Sequence, residues 1–292
     1  MSLNKNTIKR IASDVKYLLN NNNILENENI YYKHSDSNIL TGYAVIVGNV
    51  DTPYLYGYYF FKFDFPENYP FSPPKVTFLT NDGKMRFNPN YYSCGKVCLS
   101  LLNTWRGDGW TSCQTIYSIL IVLSNVLSNN PLLNEPGINS NDLNLERYNF
   151  LVEYKNYEFA IMKQLKFLKK FIEINNNESN NESNNESNNE SNNESNNESN
   201  NTTRKYNDKK YNEYYNIILK FQEIMKLSFN KNKENIKNSI DSLENKFKKS
   251  HLNKNKDNNI IVNIYNLNEK IDFEKIKNKF ISILNDSFYK IE

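Results

Sequence analysis

An α+β fold is predicted for this chain on three observations. Strand-like runs rich in β-branched and aromatic residues are concentrated before residue 80. Helical periodicity takes over from about residue 114. The two kinds of element follow one another instead of alternating, which argues against βαβ units and a parallel sheet.

The elements are predicted in order. Ile8, Ile11, Val15, Leu18 and Leu19 make one apolar face of an N-terminal helix, with Asn6 or Thr7 as its cap. Three strands follow over Ile39–Val47, Tyr54–Phe65 and Lys75–Leu79, each bounded by Gly, Pro, Asn or Asp. The turn Gly48-Asn49-Val50-Asp51 joins the first two as a hairpin, and the third extends it into an antiparallel meander. Pro66, Pro70, Pro73 and Pro74 end the second run and enforce an extended connection, because proline fixes φ and restricts the residue before it. Further helices are expected over Gln114–Ser128 and Leu145–Phe171.

Composition divides the 292 residues into three parts. Residues 1–172 carry the dense apolar and aromatic patterning of a folded domain. Residues 173–203 contain a tandem Asn-Asn-Glu-Ser repeat without an apolar side chain, expected to be a disordered linker because burial cannot offset its ordering entropy. Residues 204–292 are expected to form a basic helical extension. Its helical faces are Tyr214, Ile217, Ile218, Phe221, Ile224, Met225 and then Phe273, Ile276, Phe280, Ile283, Leu284. Between Arg204 and Asp257 it holds 14 Lys/Arg against 7 Asp/Glu.

Several function classes are argued against. A net charge of +3 makes no case for nucleic acid. No apolar run approaches the ~20 residues of a spanning helix. The first ten residues lack a signal-peptide core, so a cytoplasmic or nuclear location is expected. Three cysteines, Cys94, Cys98 and Cys113, fit a reducing compartment better than a disulfide scaffold. A structural zinc site needs four ligands, and His34 and His251 are far from these cysteines in sequence, so no metal is expected.

The most informative stretch runs from Phe87 to Leu102 and includes Asn88-Pro89-Asn90 and Gly95-Lys96-Val97-Cys98-Leu99. Cys98 is the eighth residue after Asn90. Upstream stands Tyr69-Pro70-Phe71-Ser72-Pro73-Pro74-Lys75-Val76, and downstream stands Trp110. Over about residues 5–170 this ordered set resembles the ubiquitin-conjugating enzymes (E2). Three features resemble the Z-type subclass: Asn88 in place of the usual histidine, Leu101–Gly107, and Asn134-Glu135-Pro136-Gly137.

The resemblance implies the UBC fold, a meander sheet flanked by helices, here with a helical C-terminal extension. It implies that Cys98 accepts ubiquitin or a ubiquitin-like modifier as a thioester from an activating enzyme (E1). The modifier then passes to a substrate lysine or a ligase (E3). No cofactor is implied, since ATP is used by the activating enzyme. Lys5, Lys9 and Arg10 would meet the activating enzyme, and Pro70, Phe71 and Ser112 the ligase, although the usual Ser-Pro-Ala is here Thr111-Ser112-Cys113.

The chemistry itself sets three requirements. A thioester needs a nucleophilic sulfur, and an already activated donor spares it a strongly perturbed thiol. The tetrahedral oxyanion needs a donor, which the neutral side-chain amide of Asn90 can supply. The attacking lysine must lose a proton, although at neutral pH only about one amine in a few thousand is neutral. Asp108, Glu135 and Asp142 are the candidate acids near the site. A catalytically silent ubiquitin-binding module is the rival reading, and a cysteine hydrolase lacks a positioned base.

Overall fold

The computed structural model describes residues 4–185, 209–250, 252 and 258–290. Helix α1, Lys5–Asn20, is capped by Asn4 and not by Asn6 or Thr7. The Asn4 side chain accepts the Asn6 N–H at 2.9 Å, satisfying an orphan donor of the first turn. Thr7 instead donates its hydroxyl to the Glu67 carbonyl at 2.7 Å. Ile11 and Leu18 are buried, whereas Leu19, about 100° further round the helix, is 70% exposed.

A short helix α2, Asn22–Asn27, leads to strand β1, Ile30–His34, which lies outside the three predicted runs. It is a five-residue, half-polar edge strand, so its signal is weak. Strands β2, Thr41–Val47, β3, Tyr58–Asp64, and β4, Lys75–Phe78, complete an antiparallel meander in the order β1-β2-β3-β4. The β2–β3 connection spans residues 48–57 and so is longer than the predicted turn. A Cβ at Gly48 would meet the Tyr54 carbonyl oxygen at 1.8 Å, so the chain can fold back there only as glycine.

Helix α3, Ile116–Val126, begins with a capping box between Thr115 and Ser118. A long helical stretch follows as α4, Asn144–Lys155, a π-helical segment over Asn156–Lys163, and α5, Gln164–Asn185. The expected linker at 173–203 is therefore helical up to Asn185; the rest of it, and residues 204–208, lie outside the described residues. Once its packed N-terminal half is formed, α5 propagates at one hydrogen bond per added residue, which is cheaper than nucleation.

The extension contributes α6, Lys209–Lys220, α7, Gln222–Lys249, and α8, Phe273–Leu284. It also contains a β-hairpin, β5, Asn259–Val262, and β6, Leu267–Lys270, which the helical reading missed. Four residues per strand give too short a run for the period-two signal to stand out.

The sheet has two apolar faces, and this extension covers one of them. Register puts Ile46, Tyr59, Phe61, Phe63 and Phe78 on the face of the main core. The opposite face presents Val45, Val47, Tyr58 and Phe60, all buried. Phe60 meets Tyr214 and Phe221 edge-on or tilted at 6.2 Å, and the Tyr58 hydroxyl donates to the Met225 carbonyl at 3.0 Å. The extension also wraps α4: Phe150 lies 5.3 Å from Phe247, and Tyr154 lies edge-on to Phe273 at 5.6 Å. One continuous hydrophobic core results, running from Ile11 to Tyr289.

An ion cluster ties the same parts together. Lys155 contacts Glu158 at 3.0 Å and Glu269 at 2.9 Å, and Lys279 contacts Glu158 at 3.2 Å. Burial pushes the Glu158 carboxyl up, but the Lys155 and Lys279 ammoniums outweigh it and hold the group at about 2. A carboxyl with a depressed folded pKa stabilises fully above its unfolded value and loses that contribution as pH falls through the folded one. Glu158 is therefore expected to contribute on the order of 2 kcal/mol at neutral pH, after allowance for solvent screening. The contribution should vanish between about pH 4.5 and 2. Melting curves of the wild type and Glu158→Gln should differ clearly at pH 7, draw together below about pH 4.5 and converge only near pH 2; a pH-independent gap would disprove the assignment.

Candidate active site

The site is built on a loop whose carbonyls are all accounted for, from Arg86 to Asn90. The Arg86 carbonyl accepts from the Tyr148 hydroxyl at 2.6 Å, and the Phe87 carbonyl from the Tyr54 hydroxyl at 2.8 Å. The Asn88 carbonyl accepts from the Tyr91 N–H at 2.9 Å, and the Pro89 carbonyl from the Arg86 guanidinium at 2.5 Å. The Asn90 carbonyl accepts the Cys98 N–H at 2.9 Å. A loop without ladder partners can hold one shape only when such groups are satisfied individually.

Asn88 is fully buried and serves as the bracket of this loop. Its amide donates to the Tyr54 hydroxyl and to the Val126 carbonyl, both at 2.9 Å, and its oxygen accepts the Asn90 N–H at 2.9 Å. The side chain at this position thus does structural work that needs both a donor and an acceptor. Asn88→Ala is expected to cost about 2–3 kcal/mol in denaturant unfolding, since the Asn90 N–H and Val126 carbonyl would lose this partner. A loss below about 0.5 kcal/mol would mean that water replaces the amide without penalty.

Asn90 and Cys98 face each other across paired contacts. Besides the backbone bond, the Asn90 side-chain amide donates to the Cys98 carbonyl at 2.7 Å. Its Oδ1 is buried with no hydrogen-bond partner. Gly95 makes the turn that returns the chain to this pairing. Its φ is +91°, and an added Cβ would lie 2.9 Å from the Phe78 carbonyl oxygen, so the glycine three residues before the cysteine is a steric requirement.

Cys98 is 3% exposed, because the loop after it folds back. Its thiol donates to the Thr104 carbonyl at 2.9 Å. The Thr104 hydroxyl donates to the Val97 carbonyl at 2.9 Å and accepts the Leu99 N–H at 2.8 Å, bracketing the cysteine from both sides. Asn103, in the left-handed region at φ 56°, closes this loop by accepting the Trp110 N–H at 2.8 Å. A cleft of about 480 Å³ runs alongside, lined by Val76, Thr77, Gly95, Val97, Leu102 and Thr104. Cys94 lines the same cleft; it and Cys113 are exposed.

The three candidate acids part company. Asp142 lies just before α4 and accepts from the Asn144 N–H at 2.7 Å. Glu135 accepts from the Tyr265 hydroxyl at 2.5 Å and lies 3.7 Å from the Arg86 guanidinium. Asp108 is exposed, on the loop that covers Cys98.

The face made by helix α1, the proline-rich loop and residues 110–114 is tied together by hydrogen bonds. Lys5 and Lys9 are exposed, but Arg10 is committed within the chain, to Asp14 at 3.0 Å, the Ser112 carbonyl at 2.8 Å and the Gln114 carbonyl at 2.5 Å. The Trp110 indole donates to the Pro70 carbonyl at 2.6 Å, and the Tyr69 hydroxyl to Asp14 at 2.5 Å. Helix α1, the proline-rich loop and the segment 110–114 are therefore joined by hydrogen bonds. Phe71 stands out from it at 77% exposure.

Sequence reasoning missed Thr104, Arg86, Tyr54, Tyr148 and Tyr265. Thr104 lay inside a segment read only as a subclass marker, and the others act through distant backbone contacts that leave no local pattern. Among the described residues no three His, Cys, Asp or Glu side chains cluster as a metal site, and no helix is long and apolar enough to cross a membrane.

Comparison with known proteins bears on the whole arrangement. A family model described as Ubiquitin-conjugating enzyme matches residues 10–158, just over half of the chain. Ubiquitin-conjugating enzyme E2 Z of Xenopus tropicalis is 38% identical over 127 residues, which cover 42% of this chain and 41% of that protein. Ubiquitin-conjugating enzyme E2 Z of Homo sapiens is 47% identical over 96 residues, covering 32% of this chain and 27% of that protein. Probable ubiquitin-conjugating enzyme protein 17 of Caenorhabditis elegans is 35% identical over 169 residues, 54% of this chain and 23% of that protein. The chain spans less than half the length of these relatives.

Proposed function

Because this chain belongs to the ubiquitin-conjugating enzyme family, with E2 of the Z type among its relatives, we propose that Cys98 carries ubiquitin or a ubiquitin-like modifier as a thioester. The observation that supports this most is the reciprocal bonding of Asn90 and Cys98 beside an open cleft.

The reaction runs in two steps. The Cys98 sulfur attacks the modifier's C-terminal carbonyl, held as a thioester on the activating enzyme. A new C–S bond forms, the old one breaks, the activating enzyme's sulfur leaves as thiolate, and the Cys98 thiol proton passes through solvent to it. An amine of a substrate lysine then attacks the same carbonyl; the C–N bond forms, Cys98 leaves as thiolate, and the amine's proton passes to a base or solvent. Transfer to a ligase cysteine exchanges one C–S bond for another.

Asn90 serves this chemistry through an amide with two N–H bonds. One is spent on the Cys98 carbonyl, which braces the loop. The second is available to the oxyanion of the tetrahedral intermediate. The cleft lined by Val76, Val97 and Leu102 is where an extended modifier C-terminus would lie. Since Cys98 is covered, loading requires the loop at 103–109 to move aside, and Asp108 on that loop is the acid best situated to receive an incoming lysine. Lys5 and Lys9 are proposed to meet the activating enzyme, and Phe71 with Pro70 and the Ser112 segment a ligase. No cofactor is proposed, ATP being consumed by the activating enzyme.

The test is a charging reaction of the full chain with an activating enzyme, ATP and ubiquitin. A reductant-sensitive band one ubiquitin larger supports the reading. If neither ubiquitin nor a ubiquitin-like modifier charges the chain with its cognate activating enzyme, a silent binding module is the better account.

A further inference from the structure

Tyr265, in the turn between β5 and β6, brings the C-terminal extension to the catalytic loop. Its ring lies 4.4 Å from the Arg86 guanidinium carbon, and the Tyr92 ring lies 3.9 Å from that same carbon. Arg86 is thus flanked by an aromatic ring of the core and one of the extension. Its Nε is buried without a hydrogen-bond partner, so ring contact does much of the holding. What it holds is the Pro89 carbonyl, one residue before Asn90.

Tyr265 touches the second support of the loop as well. It packs edge-on against Tyr148 at 5.6 Å, and the Tyr148 hydroxyl holds the Arg86 carbonyl. Its own hydroxyl binds Glu135, keeping that carboxylate 3.7 Å from the Arg86 guanidinium. Mere covering of apolar surface would need none of these contacts, and each of them leads to the backbone of residues 86–89.

We propose that Tyr265 is a positioning residue for acyl transfer, acting through the Arg86 stack to fix the Pro89–Asn90 backbone against the Cys98 thioester. This rests on the reading of Cys98 as acceptor. The extension then completes the catalytic loop in cis. The step it serves is aminolysis, where the oxyanion donor must be within a few tenths of an ångström of its place.

The experiment uses the full chain and separates two rates. Cys98 is first charged with ubiquitin, the activating enzyme is quenched, and discharge to free lysine is followed in a single turnover. Tyr265→Ala is expected to charge at a rate close to wild type but to discharge on the order of tenfold more slowly. Tyr265→Phe should restore discharge, since it keeps the ring on Arg86. Arg86→Lys should be slow like Tyr265→Ala, because an ammonium cannot fill the flat slot between two rings. A second readout needs no activity: hydrogen exchange at the Cys98 amide, bonded to Asn90, should quicken in Tyr265→Ala while the β2–β3 amides stay protected.

Equal discharge by charged wild type and Tyr265→Ala overturns this proposal alone. So does a parallel fall in charging, discharge and melting temperature, which would mark a purely structural residue. A wild-type chain that never charges, with exchange unchanged in the variant, overturns both this proposal and the thioester reading. Faster exchange without charging overturns the catalytic role and the thioester reading together.

Discussion

Cys98→Ala is expected to abolish the ubiquitin adduct, and Cys98→Ser to convert it from reductant-sensitive to reductant-resistant. A serine oxygen forms an ester that thiols do not cleave, while alanine offers no nucleophile. The control is internal, because Cys94 and Cys113 are both exposed and more accessible than Cys98. If accessibility alone decided loading, they would be charged first. Cys94→Ser and Cys113→Ser should therefore keep the full adduct. An adduct that survives in Cys98→Ala would move the acceptor to one of these thiols and end the assignment.

Asn90→Ala is expected to slow lysine discharge of the charged chain by about 10²–10³, the range for loss of one oxyanion donor, or about 2.7–4 kcal/mol. The same substitution removes the brace to the Cys98 carbonyl, so two effects must be separated. Single-turnover discharge after charging isolates the transition-state contribution, and the melting temperature reports the brace. Asn90→Asp sharpens the comparison, since it keeps the shape but sets an acceptor against the carbonyl where a donor stood. Discharge within twofold of wild type in Asn90→Ala would rule out the donor role.

The legible part of this fold was the part written in short range. Runs rich in β-branched and aromatic residues gave β2 and β3, and apolar repeats at helical spacing gave α1 and the helices of the extension. The cysteine, the asparagine and the glycine that turns the chain toward them stood within one loop, so their proximity could be read directly. Three kinds of feature were not legible. Strand β1 and the β5–β6 hairpin are too short for their period to emerge. The cap at Asn4 fell among several asparagines, each a reasonable cap. The supports of the site came from afar: Tyr54, Tyr148 and Tyr265 lie 34, 60 and 177 residues from the loop atoms they reach or flank, counted from Asn88. Glu135 and Asp142 were proposed from the family resemblance, as acids near the loop before the later helix, and only packing reveals that one is bonded to Tyr265 and the other to a helix start.

The covering of the second sheet face by α6 and α7 also sets the timing of this protein's birth. Val45, Val47, Tyr58 and Phe60 are all in the chain by residue 60, but their partners Tyr214, Phe221 and Met225 are added more than 150 residues later. At a synthesis rate of about 5–20 residues per second, the meander waits on the order of ten to thirty seconds with an aromatic face open to water. A growing chain in that state offers the kind of apolar patch that chaperones hold. The long polar tract between the two halves lengthens the wait, and chains stalled before residue 214 are expected to bind an apolar-surface dye more strongly than the full chain.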